Sequence, residues 1–104
     1  MDVSALDIDR YSNAELRTLA YGVKCQLLDD LIGETGRLAG VQMLAIDVLA
    51  DAEMIFTREP SREHKARVID AKRNLKKVEV AVRTRSKQAS MLQTQVRAPQ
   101  GYGA

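Results

Sequence analysis

A regular spacing of apolar residues constrains the fold of this chain more than any other feature. Between residues 20 and 55 an apolar side chain recurs at every third or fourth position, which places these side chains on one face of an α-helix. We call this set the first stripe: Ala20, Val23, Leu27, Leu31, Glu34, Leu38, Val41, Ala45, Val48, Ala52 and Ile55. Only Glu34 is charged, so the spacing predicts a long amphipathic helix with one polar position on its contact face.

Three glycines fall inside this run, in the segment LIGETGRLAG at residues 31–40. A loop would reset the spacing of the first stripe, but the spacing continues unchanged across the segment. A Walker-type phosphate loop does not fit, because no Lys followed by Ser or Thr is present and no strand precedes the glycines. We therefore predict one helix over 13–57, bent at the glycines. The alternative is a break at GETG that would give a three-helix bundle.

Local signals set the ends of two predicted helices. Ser12 and Glu15 have the spacing of a capping box, so the first helix is expected to begin directly after Ser12. Pro60 lacks a backbone N–H and disfavours helical geometry in the residue before it, which ends the first helix. Ser61 is suited to cap a second helix over 62–97.

The second predicted helix carries its own apolar stripe with the same spacing. Its members are Val68, Ala71, Leu75, Val78, Val82, Arg85, Ala89, Leu92 and Val96. Two long amphipathic helices joined by about four residues can bury their stripes only by folding back on each other. The sequence therefore predicts an all-α protein, a long antiparallel helical hairpin within a single domain over 1–98. Residues 1–11 form an N-terminal arm, and 99–104 form a flexible tail.

Each stripe contains one charged residue, Glu34 in the first helix and Arg85 in the second. A reversal centred near Glu59 brings the two to within about one helical turn of the same level. We predict that they pair, and that this polar pair fixes the register of the hairpin. The alternative is that both side chains extend to the edge of the contact without pairing.

The first helix is apolar on a second face as well. This second stripe consists of Cys25, Leu28, Ile32, Thr35, Ala39, Gln42, Ile46, Leu49, Glu53 and Phe56, and is widened by Met43 and Ala50. A two-helix hairpin has one internal contact, so the second stripe indicates a partner. Either a second copy, giving a four-helix bundle or larger coiled-coil oligomer, or another helical protein would fit. Residues 1–11 could cover only part of it. The predicted interface consists of Leu28, Ile32, Ala39, Met43, Ile46, Leu49 and Phe56.

Charge is divided unevenly along the chain. Residues 1–60 carry five basic and eleven acidic residues, whereas residues 61–104 carry eleven basic and three acidic residues. The basic residues that lie off the second helix's stripe are Lys65, Lys72, Arg73, Lys76, Lys77, Arg83 and Lys87. This face is either solvated, a contact for an acidic protein surface, or a site for nucleic-acid phosphates. It has no aromatic residues on which bases could stack.

No arrangement of residues indicates catalysis, a metal, a cofactor or a small-molecule substrate. His64 lacks a Glu-x-x-His partner and is expected to be a polar turn residue, and Cys25 is expected to pack. A lone cysteine favours a reducing compartment, and the absence of a long apolar run favours a cytoplasmic protein without a membrane span. We expect an interaction module rather than an enzyme. Its small size and scarce aromatic residues are compatible with a phage- or plasmid-encoded subunit.

Overall fold

Helices make up nearly all of the chain that the computed structural model describes, residues 6–97. A 3₁₀ turn at Asp7–Arg10 is followed by α1 (Asn13–Thr18), α2 (Tyr21–Arg58) and α3 (Arg62–Arg97). Within 6–97 no residue forms a strand, and α2 and α3 pack against each other as a helical hairpin. The predicted fold class is therefore confirmed. The start of the arm and the predicted tail lie outside the described residues.

The first helix begins as predicted but is divided. The Ser12 hydroxyl accepts the Glu15 N–H at 3.2 Å, and the Glu15 carboxylate accepts the Ser12 N–H at 3.1 Å. The single helix over 13–57 is nevertheless wrong, because Leu19 is extended (φ −68°, ψ 149°) and separates α1 from α2. Leu19 packs partly buried against a core cluster, and the freed Arg17 carbonyl accepts from the Lys24 ammonium at 3.2 Å. Tertiary packing here outweighs local helix propensity.

The glycine segment does not interrupt α2. Residues 31–40 are helical throughout, so the alternative with a loop at GETG is wrong. α2 ends at Arg58, one residue beyond the predicted end, and α3 begins at the predicted residue. The continuity of the apolar spacing was the signal that distinguished a helix containing glycines from a loop.

A short turn joins the two long helices. The Ser61 hydroxyl accepts the His64 N–H at 3.0 Å, as expected of a residue that caps α3. The His64 ring closes the turn from the other side, since its Nδ1 lies 2.6 Å from the Glu59 carbonyl oxygen, to which it can donate. Glu59 in turn donates its N–H to the Ile55 carbonyl at 2.9 Å, which completes the last turn of α2.

The packing divides the chain into two compact units, which we describe separately. The turn unit comprises residues 36–83, and the terminal unit comprises residues 6–35 and 84–97. The core of the turn unit is formed by Leu38, Ala45, Val68, Ala71, Val78 and Ala81. Half of these side chains are alanines, which let two helices approach closely but bury little area.

The core of the terminal unit combines the N-terminal arm with the long helices. Its buried residues are Ile8, Leu16, Leu27, Leu31 and Leu92. Ile8 of the arm is only 2% exposed, and Leu28 of the second stripe packs partly buried against the same cluster. The arm therefore packs at one end of the second stripe, which is the partial cover by residues 1–11 that the sequence analysis kept as an alternative.

In the turn unit, α2 contacts its own core along a line that departs from the first stripe. Val48 and Ile55 are 57% and 43% exposed, although both belong to the first stripe. Leu49 and Phe56, one position further along, are half-buried instead. A strict seven-residue repeat drifts about 20° per heptad around a straight helix, so the inward positions move onto neighbouring residues. The drift leaves part of each stripe exposed.

Candidate interaction surfaces

α2 exposes an unusual amount of apolar surface in the turn unit. Its exposed large apolar side chains are Met43, Leu44, Ile46, Val48, Met54 and Ile55. Over residues 62–83, α3 exposes only Ile69 and Val80 of this kind. Scattered exposed apolar residues are normal, but a concentration on one helix marks a surface that contacts a partner.

One face of α2 in the turn unit is apolar along most of its length. The positions Gly36, Ala39, Met43, Ile46, Ala50 and Met54 are exposed and follow each other at spacings of three or four. We call this set the α2 apolar surface. Met43, Ile46 and Met54 are 69%, 48% and 53% exposed. Their shared face brings together apolar side chains that no other part of the turn unit covers.

The predicted interface residues are distributed over several environments. Ala39, Met43 and Ile46 lie on the α2 apolar surface, and Ile32 is 58% exposed on the part of α2 that belongs to the terminal unit. Leu28, Leu49 and Phe56 are half-buried within their own units. Four of the seven residues are thus available to a partner, whereas the other three contribute to packing within the chain.

A groove lies along the opposite flank of α2 in the turn unit. It has a volume of about 470 Å³ and is lined by Val48, Asp51, Ala52, Ile55, Arg67, Asp70, Ala71 and Asn74. Its lining combines apolar side chains with the charged residues Asp51, Arg67 and Asp70. Val48 and Ile55 line this groove instead of lying in the core, a position that the first stripe did not predict.

Every residue of the predicted basic face is exposed. Six of its residues lie on α3 in the turn unit, and the seventh, Lys87, is exposed in the terminal unit. Arg73 lies 3.9 Å from the Asp70 carboxylate, with both side chains about three-quarters exposed. Such a contact contributes little in water, so it leaves the positive potential of the face largely intact.

The two charged residues of the stripes are both buried in the terminal unit. Glu34 is 9% exposed and Arg85 is 3% exposed. Arg85 donates from two guanidinium nitrogens to the two carboxylate oxygens of Asp9, at 2.8 and 3.0 Å. It also donates to the side-chain oxygen of Gln88 at 2.9 Å. The pairing of Glu34 with Arg85 stays a prediction, whereas Asp9 is a partner that the sequence did not identify.

Asp9 fastens the N-terminal arm to α3. Its carboxylate also accepts the Leu6 N–H at 3.0 Å and a bond from the Gln88 amide at 3.4 Å. The hydrogen bond from Arg85 lowers the pKa of Asp9 from 3.8 to about 2, against an opposing effect of burial. Its neighbour Ile8 is buried, so one apolar and one ionic contact hold adjacent residues of the arm. The sequence did contain a signal for this contact, since a charged residue such as Arg85 in an apolar stripe is stable only with an anionic partner.

His64 and Cys25, the two residues whose side chains could carry chemistry, lie at the hairpin turn and in the helix α2. His64 is half-buried at the hairpin turn, and its backbone and ring atoms both contact turn residues, as expected of a polar turn residue. Cys25 is half-buried on α2 in the terminal unit.

In residues 6–97 no helix is long and apolar enough to cross a lipid bilayer. Comparisons with family models, curated proteins and solved structures find no match to this chain.

Proposed function

We propose that this protein is a non-catalytic assembly module that self-associates in the cytoplasm, as a structural subunit, an adaptor or a small chaperone-like factor. One observation carries the proposal: the α2 apolar surface presents Met43, Ile46 and Met54, each about half or more exposed, on one helical face. A helix that buries one stripe in its own hairpin and presents another to water is typical of bundle subunits.

The size of the surface sets the expected strength of association. Burying a large apolar side chain completely stabilises a complex by about 1.5–3 kcal/mol, and these side chains are already partly covered. Six of them, three from each copy, would contribute roughly 5–9 kcal/mol. The loss of translational and rotational freedom costs on the order of 4–15 kcal/mol. Since the gain and the cost are of similar size, we expect weak, reversible association that depends on protein concentration.

Two matched substitutions test the proposal. Ile46→Asp places a charge on the α2 apolar surface, and Ile69→Asp places the same charge on α3 of the turn unit. The two isoleucines are 48% and 44% exposed, so the substitutions differ in their helix and hardly in their burial. Molar mass is measured by light scattering after size exclusion, at low and high salt and at several protein concentrations.

The proposal predicts a mass above one chain for the unmodified protein and for Ile69→Asp, and the mass of one chain for Ile46→Asp. Because apolar contacts do not depend on charge screening, high salt should leave the assembly intact. A single-chain mass for the unmodified protein at all concentrations would exclude self-association. Equal loss of assembly in both variants would show that the α2 apolar surface is not the contact.

The basic face of α3 supports a second candidate function, binding of nucleic acid as an accessory protein. Its seven Lys and Arg side chains are all exposed, and Lys72, Arg73, Lys76 and Lys77 form two like-charged pairs at four-residue spacing. Like charges at this spacing destabilise a helix slightly, which an anionic partner would offset. Contacts of this kind bind phosphates without reading base sequence.

This second function predicts a strong dependence on salt. Affinity for nucleic acid should fall steeply between low and moderate salt, with a slope set by the number of phosphates contacted. Changing Lys72, Arg73, Lys76 and Lys77 to Glu should abolish binding without altering the assembly. If binding persists in this variant, the basic face is not the nucleic-acid site. The face is then solvated or contacts an acidic protein surface.

A further inference from the structure

A single extended residue, Leu19, marks the point where the start of the chain joins α2. We call residues 6–18 the N-terminal segment; they comprise the described part of the arm and α1. We propose that this segment can leave its own hairpin, with α1 and α2 merging into one straight helix, and dock at the same site on a second copy of the chain. The contact involves residues of the terminal unit only, so it does not depend on the α2 apolar surface or on the proposed function.

The sequence around Leu19 favours a continuous helix. Leu16 lies four residues before Ala20, where the first stripe begins, so a straight helix would extend that stripe through the junction. Leu19 and Ala20 are both strong helix formers, and neither is Pro or Gly. Local sequence therefore does not cause the break, and the contacts of the docked segment hold it open.

These contacts join the segment to residues distant in sequence. Ile8 and Leu16 are each 2% exposed in the core of the terminal unit, and Leu19 packs partly buried against the same core. The Asp9 carboxylate lies 2.8 Å from the Arg85 guanidinium. Because none of the receiving residues belongs to the segment itself, the identical site on a second copy can receive it in the same way.

A straight helix would carry the segment out of reach of its own site. Leu92 packs in the same cluster as Leu27, and Arg85 lies seven residues, or about 10 Å, nearer the turn. In a straight helix Asn13 would lie about 31 Å from the level of Arg85, and the four residues back to Asp9 span at most about 14 Å. The remaining gap of about 17 Å exceeds the length of both side chains together. A straight chain can therefore pair Asp9 with Arg85 only across two copies.

Reciprocal exchange keeps the contacts of the docked segment. Each site receives the same Ile8, Leu16 and Asp9 side chains from the other copy, and two-fold symmetry closes the contact. Each chain also gains backbone hydrogen bonds across Leu19 and Ala20, because a continuous helix pairs every N–H with the carbonyl four residues earlier. A tethered segment has a high effective concentration at its own site, so the intact chain stays closed in dilute solution. Exchange occurs when that site is blocked or when copies are concentrated.

Reversing one charge in each of two full-length variants blocks the closed form and tests the exchange. Asp9→Arg faces the unchanged Arg85, and Arg85→Asp faces the unchanged Asp9, so each variant opposes like charges where the ion pair measured 2.8 Å. In an equimolar mixture each segment meets the opposite charge on the other variant. Both variants also carry Ile46→Asp, which removes the α2 apolar surface as a contact and keeps this test separate from that of the proposed function.

Native mass spectrometry distinguishes the outcomes. We expect the mass of one chain for each variant alone and a one-to-one dimer in the mixture, with a dissociation constant at least about tenfold below that of either variant alone. A chain that carries both Asp9→Arg and Arg85→Asp restores the ion pair internally and, as the matched control, should stay at the mass of one chain. A mixture that contains single chains only would overturn the exchange.

Disulfide trapping tests the exchange without reversing a buried charge. The Gln88 amide nitrogen lies 3.4 Å from the Asp9 carboxylate. With Cys25→Ser and Ile46→Asp as the background, one chain carries Asp9→Cys and the other carries Gln88→Cys, so neither can close this bond within itself. In concentrated mixtures the mixed disulfide should form several-fold faster than with Gln93→Cys, an exposed position on α3. Equal rates at positions 88 and 93 would contradict docking on a second copy.

A proline at the junction tests whether α1 and α2 merge. Ala20→Pro suits the extended Leu19 of the closed form (ψ 149°) but removes an N–H from a continuous helix. It should lower the rate of mixed-disulfide formation at least about tenfold. Ala20→Gln, at the same exposed position, keeps the N–H and should leave the rate unchanged. An unchanged rate in Ala20→Pro would overturn the straight helix.

Discussion

Replacing Asp9 with Asn removes the carboxylate that holds the N-terminal arm to α3. The unmodified side chain receives hydrogen bonds from two guanidinium nitrogens of Arg85, and Arg85 is only 3% exposed. Asparagine keeps the shape and one acceptor oxygen but carries no charge. The substitution therefore leaves Arg85 buried with a weaker partner, while Gln88 continues to accept one of its hydrogen bonds at 2.9 Å.

The expected loss follows from the pKa of Asp9. The lowering from 3.8 to about 2 corresponds to roughly 2.4 kcal/mol if taken at full value. The Asp9 side chain is 38% exposed, however, so solvent screening reduces the contribution. We expect Asp9→Asn to lower the free energy of unfolding by about 1 kcal/mol at pH 7, or about 4–8 °C in melting temperature.

The same pKa predicts how stability depends on pH. Because the pKa is lower in the folded state, the contribution is complete above about pH 4 and is lost as the pH falls toward 2. Urea unfolding of the unmodified protein and of Asp9→Asn, followed by circular dichroism between pH 7 and pH 2 at one protein concentration, measures the effect. Asp7→Asn is the matched control, since Asp7 is 66% exposed and lies 3.8 Å from Arg10.

The two proteins should differ at pH 7 and converge at pH 2, while Asp7→Asn follows the unmodified protein throughout. A difference between Asp9→Asn and the unmodified protein that stays constant from pH 7 to pH 2 would refute the ionic origin of the effect. Equal stability at pH 7 would show that the ionic contact does not stabilise the arm, which apolar packing of Ile8 and its neighbours would then hold.

Three further predictions concern stability. Arg85→Met should destabilise the protein by about 3–5 kcal/mol, because it removes the partner of Asp9 and, in the predicted pair, leaves the buried Glu34 carboxylate uncompensated. Arg85→Met combined with Glu34→Met should be less harmful, and a less stable double variant would contradict the predicted pair. Ser61→Ala should cost about 1 kcal/mol in urea unfolding, since the His64 N–H loses its cap at 3.0 Å. Gly22→Ala should stabilise by up to about 1 kcal/mol, because the added methyl meets nothing within 4 Å; a lower melting temperature would contradict the open surroundings of Gly22.

The hairpin could be predicted because its signals are local and redundant. Apolar spacing, Ser12, Pro60 and Ser61 each indicate a helix or its end, and they agree with one another. The interruption at Leu19 could not be predicted in this way. It depends on contacts between that leucine and residues distant in sequence, which periodicity does not report.

The candidate surfaces were only partly predictable for a related reason. The second stripe correctly located Met43 and Ile46 on an exposed face, but it also included Leu49 and Phe56, which are half-buried. Counting in heptads does not follow the drift of a straight helix, so errors grow with distance from the point where the stripe begins. Asp9 was missed because its partner Arg85 is 76 residues away and no local pattern links them.

Sedimentation equilibrium of the unmodified, full-length chain tests self-association most directly. One chain has a mass of 11.5 kDa. In high salt, and across protein concentrations from micromolar to hundreds of micromolar, our account predicts a reversible rise from the mass of one chain to that of two or more. A mass that stays at one chain over this whole range would contradict the claim that the α2 apolar surface joins copies of the protein.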